Sequence, residues 1–254
     1  MKTLLFISVM LVYTGHLPAY AEQAPWQLWK KNSLQSVSFR PVLLAKNPID
    51  NSVDKPLIEI KATVTVNSSI AGFLLFMENV SNTPNWLSNA SESELLEQFS
   101  ISESIFYVKI DHIWPLSPRI LILHSTYRQN EDLSVDIFIR DAVLEVGGSA
   151  KTLKIENLAR FLRVKIHSAY WKITPKLALG KDGQKNINNL LIEYHVIADG
   201  RGDIPKWLAD HLALKSIWQT MGNIRQQLPA QKWQQQSING ITELIKTPKA
   251  PLKK

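Results

Sequence analysis

The residue types that do most protein chemistry are few in this chain, and their spacing matches no familiar catalytic motif. There is no cysteine among the 254 residues, which excludes thiolate metal sites, disulfides and thiol redox chemistry. No histidine pair has the spacing of a helical metal site, and no Gly-x-Ser-x-Gly turn offers a nucleophile. The histidines beyond the first segment are His112, His124, His167, His195 and His211. The sequence therefore predicts no catalytic residue, no metal ligand and no cofactor.

The first 21 residues have the three parts of a secretory signal peptide. Lys2 gives a positive start, an apolar run from Leu4 to Val12 follows, and Ala19-Tyr20-Ala21 places small residues just before Glu22. The run is well short of the roughly 20 apolar residues that a membrane-spanning helix needs, which disfavours the alternative of an uncleaved anchor. We expect an exported, soluble protein.

The rest of the chain reads as one globular domain, 22–229, followed by a basic tail, 230–254. The sequence is 45% hydrophobic and 20% charged, as in ordinary globular proteins, and is long enough to bury a sizeable core. The formal net charge is +7, and lysines of the tail contribute to it: Lys232, Lys246, Lys249, Lys253 and Lys254. The tail either stays solvated or makes transient contact with anionic headgroups at a membrane surface. Export argues against nucleic acid as a partner.

Hydrophobic spacing predicts strands and helices in the first half of the domain. Residues 24–31 are predicted as a short helix with Trp26 and Trp29 on one side. Alternation predicts a strand around Val37 and Phe39, and a clearer one from Ile58 to Val66. A helix capped by Asn67 or Ser68 should follow, with its apolar side made by Ile70, Phe73, Leu74 and Met77.

The second half is predicted to be rich in strands. Four strands are expected at 94–100, 104–110, 120–127 and 133–139, with a turn at 129–132. A later hairpin pairs 162–170 with 190–196, and each strand has an apolar and a polar face. His167 and His195 fall on the polar faces and are predicted to be exposed rather than catalytic. Tyr170 is assigned to the apolar face.

The last predicted element is a long amphipathic helix. Pro205 suits its first turn and Asp203 is a plausible cap. Its apolar stripe has spacings of three and four, and consists of Trp207, Leu208, His211, Leu214, Ile217, Trp218, Met221, Ile224 and Leu228. Successive strands without interleaved helices, followed by this helix, predict an α+β domain with an antiparallel sheet that the helix covers.

Three segments in this order resemble motifs of the START lipid-transfer family, especially its bacterial branch. Trp114 to Arg119 resembles the Trp-Pro-x-Ser-x-Arg-Asp stretch, and Ala169 to Pro175 is similar to the Gly-x-Trp-x-x-x-Pro strand end. Asp199 to Leu208 is similar to the aspartate, paired glycines and Ile-Pro-x-Trp-Leu entry into the last helix. The likeness runs from about Trp26 to Leu228. Together with the signal peptide, it favours the periplasm over secretion to the outside.

The chain departs from these motifs at four places. Ile120 stands where an aspartate usually follows Arg119, which puts the usual ionic arrangement in doubt. Ala169 replaces the first glycine of the second motif, and Arg201 separates the two glycines of the third. The loop 141–157 is also longer than expected.

The resemblance implies a helix-grip (START/Bet v 1-like) fold, in which a curved antiparallel sheet wraps around a long C-terminal helix. Members of the family hold one lipid or sterol in a tunnel between sheet and helix, and the helix and adjacent loops act as a gate. The implied ligand-binding residues are Arg119, Trp114, Tyr107, Trp207, Leu208, Leu214, Trp218 and Met221, with Ile122 and Leu123 as further candidates. Arg119 needs a partner, which is a ligand headgroup or hydroxyl, Asp111 or Asp136.

The expected function is therefore binding or shuttling of one lipid or sterol-like molecule, without catalysis. Two alternatives stay open at this point. Related helix-grip folds include hydrolases and cyclases, so an enzyme acting on a small apolar substrate is one. The other is a protein-interaction module with a filled core that contacts its partner through the basic tail.

Overall fold

A computed structural model describes residues 24–42, 56–111, 117–142, 155, 157–179 and 186–244. The signal peptide, Trp114, His112 and most of the loop 141–157 lie outside these residues. None of the helices described is long and apolar enough to cross a membrane.

The described chain folds into one curved sheet. Its strands lie in the order β1-β2-β3-β10-β9-β7-β6-β5-β4, and neighbours along this path are antiparallel. The short β8 pairs parallel to β6. The strands are β1 Gln27–Lys31, β2 Gln35–Val42, β3 Leu57–Val66, β4 Ala90–Ser100, β5 Glu103–Ile110, β6 Arg119–Gln129, β7 Val135–Asp141, β8 Leu162–Arg163, β9 Lys165–Leu179 and β10 Asn186–Asp199.

The helices cover one face of the sheet, which we call the inner face. They are α1 Ile70–Glu78, α2 Thr83–Trp86, α3 Lys206–Gln227 and α4 Gln231–Gln234. The predicted caps are wrong at both long helices. Ser69 caps α1 by accepting a 3.0 Å hydrogen bond from the Gly72 amide, and α3 begins after Pro205 without a side-chain cap from Asp203. The α+β class and the long C-terminal helix are confirmed.

The predicted helix at 24–31 is wrong, because this segment forms the edge strand β1. Tryptophans three residues apart share one side of a helix but point to different sides of a strand. Trp29 packs edge-on against Trp218 of α3, with ring centroids 6.4 Å apart. Trp26 instead contacts His195, at 5.9 Å. An irregular register between Leu28 and Lys30 accompanies this arrangement.

A bulge in β9 reverses the predicted faces of that strand. Ile197 pairs with Ser168 and Ala198 pairs with Ile166, so His167 is left over in the ladder. An extra residue moves every later side chain to the opposite face. Tyr170, predicted to be apolar-facing, therefore lies on the outer face and donates a 2.6 Å hydrogen bond to Asp136. In β3, which has no such irregularity, the predicted apolar face is confirmed.

Two apolar clusters hold the sheet. The larger lies between the inner face and the helices. The smaller lies on the outer face of β4 to β6, and its buried members are Leu96, Tyr107, Ile120, Ile122, Ala142 and Ile155.

The chain after α3 is a packed strap rather than a free tail, as far as residue 244. Trp233 and Ile238 are buried, and the Trp233 ring meets Phe76 of α1 edge-on at 5.4 Å. The carboxylate of Glu243 accepts hydrogen bonds from the first two amides of α1, at 3.0 Å from Ile70 and 2.7 Å from Ala71. A negative charge at a helix N-terminus is favourable. The strap therefore ties the end of the chain to α1.

Replacing the strap tryptophan tests whether this segment stabilises the domain. Trp233→Ala should lower the free energy of unfolding by about 3 kcal/mol, because a large buried ring is lost and a cavity remains. Urea denaturation followed by circular dichroism measures the change. Gln236→Ala, at an exposed position of the same strap, is the matched control and should stay within about 0.5 kcal/mol of the parent. A Trp233→Ala change below about 1 kcal/mol would contradict the packed strap.

Candidate functional site

The long helix α3 is fixed over the β2–β3 part of the inner face. The Gln35 amide donates a 3.2 Å hydrogen bond to the Trp218 carbonyl. On its other side, the Asn223 amide donates to the Trp86 carbonyl at 3.1 Å, and Thr220 Oγ1 accepts from the Ser88 amide at 3.1 Å. These contacts all involve the second half of α3. Its first half is therefore the less constrained part.

The inner face consists of transverse rows of side chains that cross β6, β7, β9, β10, β3 and β2. The packed row, nearest α1, is Gln129, Val135, Ile173, Ile192, Val64 and Gln35. The middle row is Tyr127, Ile137, Trp171, Tyr194, Ala62 and Val37. The open row, toward the start of α3, is Ser125, Ile139, Ala169, Val196, Ile60 and Phe39.

Accessibility increases along these rows toward the start of α3. The four central residues of the packed row are completely buried, with 0% of their surface exposed. Part of the surface stays accessible at one end residue of the packed row, Gln129, at Tyr127 and Tyr194 in the middle row, and at three residues of the open row: Ser125, Ile139 and Phe39. The inner face is thus filled at the α1 end and incompletely covered at the other end.

The middle row contains polar atoms that the protein leaves unpaired. The rings of Trp171 and Tyr194 are stacked with centroids 4.1 Å apart. Trp171 Nε1 and the Tyr127 hydroxyl are buried without a hydrogen-bond partner. Such groups are uncommon in folded proteins and each needs a physical explanation. Sequence reasoning missed this cluster, because neither tryptophan nor tyrosine carries a signal for lacking a partner.

Glu78, at the end of α1, lies beside the Tyr127 hydroxyl without meeting hydrogen-bond geometry. Its side chain reaches solvent, yet enough protein surrounds the carboxyl that desolvation raises its pKa above the usual value, and the Tyr127 hydroxyl only partly opposes this. Desolvation and the Glu78 charge together raise the pKa of Tyr127. Desolvation also raises the pKa of Tyr194.

Arg119 is buried at the start of β6 and holds the loop that leads into α3. Its guanidinium donates to three main-chain carbonyls, at 2.9 Å to Gly200, 2.6 Å to Ser117 and 3.2 Å to Arg201. Burial lowers its pKa. Asp136, one of the partners considered from the sequence, lies on the outer face with Tyr170 instead. We call this set of bonds the Arg119 clamp.

The loop inside the Arg119 clamp favours glycine at position 202. Arg201 and Gly202 have positive φ angles of 56° and 87°, a conformation that favours glycine. A Cβ atom at Gly202 would stand 3.1 Å from Leu162 and 3.7 Å from the guanidinium of Arg119. Arg201 is therefore the strained position in this turn.

The structure brings only some of the predicted ligand-binding residues to the inner face. Leu214 and Met221 are buried under α3, and Leu208 and Trp218 are half-buried. Trp207 is 71% exposed and does not face inward. Tyr107 lies in the outer cluster, where its hydroxyl bonds to Glu92 and Glu94. Trp114 lies outside the described residues.

The concave regions found on the described surface lie elsewhere. An open trough of about 1010 Å³ crosses the outer face, and its lining includes His124, His167, His195, Tyr170 and Asp136. His195 lies 3.4 Å from Glu59, and His124 lies 2.7 Å from Glu103. A second, smaller depression of about 280 Å³ lies beside Glu92 and Lys109. Within the described residues, no cluster of three or more carboxylates and histidines offers a metal site.

Comparisons with known proteins identify the fold. No family model matches the chain. An uncharacterized protein of Pseudomonas aeruginosa is 22% identical over 165 residues, which is 65% of this chain and 72% of that protein.

Solved structures of START domains superpose on most of this chain. The STAR-related lipid transfer protein of Xanthomonas axonopodis does so with a TM-score of 0.58 and 20% identity, covering 81% of this chain and 99% of that one. The lipid transfer and protein localization domain of human StarD13 superposes with a TM-score of 0.58 and 14% identity, covering 82% of this chain and 91% of that domain. Human StAR-related lipid transfer protein 5 superposes with a TM-score of 0.55 and 15% identity, covering 79% of this chain and 85% of that one. The chain therefore has the helix-grip fold of START domains.

Removing the guanidinium tests the role of the Arg119 clamp. Arg119→Lys keeps the charge but loses the fork that bonds several carbonyls, so amide hydrogen exchange across 199–205 should rise about tenfold. Exchange in the strap, 231–244, should not change. Arg128→Ala, on the same strand with a 70% exposed side chain, is the control. Equal exchange at 199–205 in Arg119→Lys and the parent would refute the clamp.

Glu78→Gln tests the desolvated carboxyl through pH. Because the folded-state pKa is raised, the folded chain binds more protons, so stability falls as pH rises from about 4.5 through that raised pKa. Glu78→Gln should remove the part of this loss of stability that comes from Glu78. From pH 4.5 to pH 7.5 the variant should therefore lose less stability than the parent. Urea midpoints between pH 4.5 and 7.5 measure it. Parallel pH curves for the variant and the parent would contradict the raised pKa.

Proposed function

We propose that this protein binds one lipid or other apolar molecule between the inner face of the sheet and α3. The observation that carries the proposal is the uneven covering of the inner face. The four central residues of the packed row are completely buried, whereas Tyr127 and Tyr194 of the middle row and Ser125, Ile139 and Phe39 of the open row keep accessible surface. An apolar ligand in this position would complete the covering. The START fold supports the same use of this space.

Burial of apolar surface would drive binding. Removing apolar area from water is worth roughly 25 cal/mol per Å², before the cost of ordering the ligand and the chain. The open row consists mostly of aliphatic and small side chains, so it offers a ligand apolar contact and few hydrogen bonds. The proposal assigns no catalytic step and no cofactor, because the histidines that the structure describes in the trough lie on the opposite face of the sheet.

Ligand entry would use the first half of α3 and the loop before it. The second half of α3 is bonded on both sides, and the strap ties the following segment to α1. The first half is joined to the sheet through the Arg119 clamp. Opening therefore requires the clamp to release main-chain carbonyls and Leu214 to leave its buried position, while the contacts of the second half of α3 stay in place.

The proposed site of action is outside the cytoplasm. Lys2, the apolar run from Leu4 to Val12 and Ala19-Tyr20-Ala21 support cleavage before Glu22 and export to a periplasm or to the outside. The lysines beyond residue 244 add a basic segment that suits transient contact with anionic headgroups. Such contact would place the first half of α3 close to a source of lipid.

Native mass spectrometry of the exported protein, followed by organic extraction, is the decisive experiment. We expect a stoichiometric adduct that extracts as one lipid class, and a mature chain that starts at Glu22. Ala169→Phe fills the open row and should reduce the adduct at least tenfold. Ser168→Phe, one residue away on the outer face, should leave it unchanged. A bare mass that persists after incubation with membranes would overturn the proposal.

A further inference from the structure

Three polar atoms on the middle row make no hydrogen bond within the described part of the chain, although the Glu78 carboxyl lies beside one of them, the Tyr127 hydroxyl. They are Trp171 Nε1, the Tyr127 hydroxyl and the Tyr194 hydroxyl. The first two are buried and unpaired, and no hydrogen bond of the Tyr194 hydroxyl occurs in the described part of the chain. A buried donor without an acceptor is costly, because it loses its bonds to water and gains none. A chain whose interior were simply filled would have apolar side chains here.

The strand register places the three residues in one transverse row of the inner face. Tyr194 and Trp171 are directly paired on neighbouring strands, and their rings are stacked. Tyr127 lies two strands from Trp171, with Ile137 of β7 between them. Adjacent strands are about 4.8 Å apart, so the three backbones span only ~15 Å. Tyr127, Trp171 and Tyr194 each lie two positions along their strand from a residue of the open row, namely Ser125, Ala169 and Val196. The cluster therefore lies at the inner end of the space that the proposed ligand would occupy.

The cluster has hydrogen-bonding capacity but no cation. Its members are an indole N–H, which only donates, and two hydroxyls, which donate and accept. The described cation at this end of the inner face is Arg119, whose bonds go to main-chain carbonyls. A phosphate or carboxylate brought here would lose its hydration without gaining a counter-charge, which is strongly unfavourable. A hydroxyl, ketone or ester oxygen would lose far less and would pair with the indole.

We propose that Trp171, Tyr194 and Tyr127 receive the uncharged, oxygen-bearing end of a neutral lipid, with Trp171 Nε1–H as the main donor. The apolar remainder of the ligand lies along the open row toward the start of α3. This inference rests on the proposed function and adds the class of ligand to it. It selects neutral lipids with a hydroxyl or carbonyl over fatty acids and phospholipids.

Four probes separate the polar end from the apolar remainder: hexadecane, hexadecanol, hexadecanoate and vesicles containing phosphatidylglycerol. Displacement of a bound apolar dye from the mature protein at pH 7.5 measures each affinity. Hexadecanol should bind about tenfold more tightly than hexadecanoate. Trp171→Phe, which keeps an aromatic ring but removes the N–H, should weaken hexadecanol about tenfold and leave hexadecane unchanged. Tyr194→Phe and Tyr127→Phe, with nearly the same shape, should each weaken hexadecanol by a smaller factor.

Tyr170→Phe is the matched control, because Tyr170 neighbours Trp171 in sequence but lies on the outer face with Asp136. It should leave all four affinities unchanged. Equal binding of hexadecanol by the parent and all three site variants would overturn the inference, as would tighter binding of hexadecanoate or phosphatidylglycerol. In both cases binding of hexadecane would still support the proposed function. If none of the four probes binds, the proposed function itself fails.

Discussion

The structure depends on how one helix and a strap cover a sheet that is larger than they are. The described sheet has ten strands, while α3 has 22 residues and a length of about 33 Å. A single helix of this size covers the inner face of a few strands. The chain adds α1 and the strap at one end, and there the four central residues of the packed row are completely buried. At the other end it adds no further element among the described residues, and the middle and open rows keep accessible surface.

The two faces of the sheet differ in chemistry for the same reason. On the outer face the trough is lined by charged and polar side chains that pair with one another, as Asp136 does with Tyr170 and His195 does with Glu59. On the inner face the unpaired groups of the middle row, Trp171 Nε1 and the Tyr127 hydroxyl, are neutral, and desolvation raises the pKa of the Glu78 carboxyl beside them. This difference between the two faces is the physical basis for proposing a neutral ligand on the inner face.

The sequence was sufficient for those features that depend on local pattern and insufficient for those that depend on pairing. Alternation in β3 predicted both the strand and its buried face, because every residue from 58 to 66 pairs regularly. The same rule failed in β9, since the extra residue His167 shows only when the partner strand is known. The motif around Arg119 predicted a buried cation, but its partners are main-chain carbonyls, which have no residue type to recognise. The unpaired atoms of Trp171 and Tyr127 were equally invisible, because a missing partner is a property of the fold.

The cap that Glu243 provides to α1 has a consequence for the order in which the molecule is completed. The two groups are separated by about 170 positions, so α1 leaves the ribosome long before its capping carboxylate exists. Contacts at such separation form late and slow the final step of folding. Until then the Phe76 face of α1 has no Trp233 to cover it. A chaperone that holds the growing polypeptide would find this face available for most of synthesis and would be displaced when the last segment arrives.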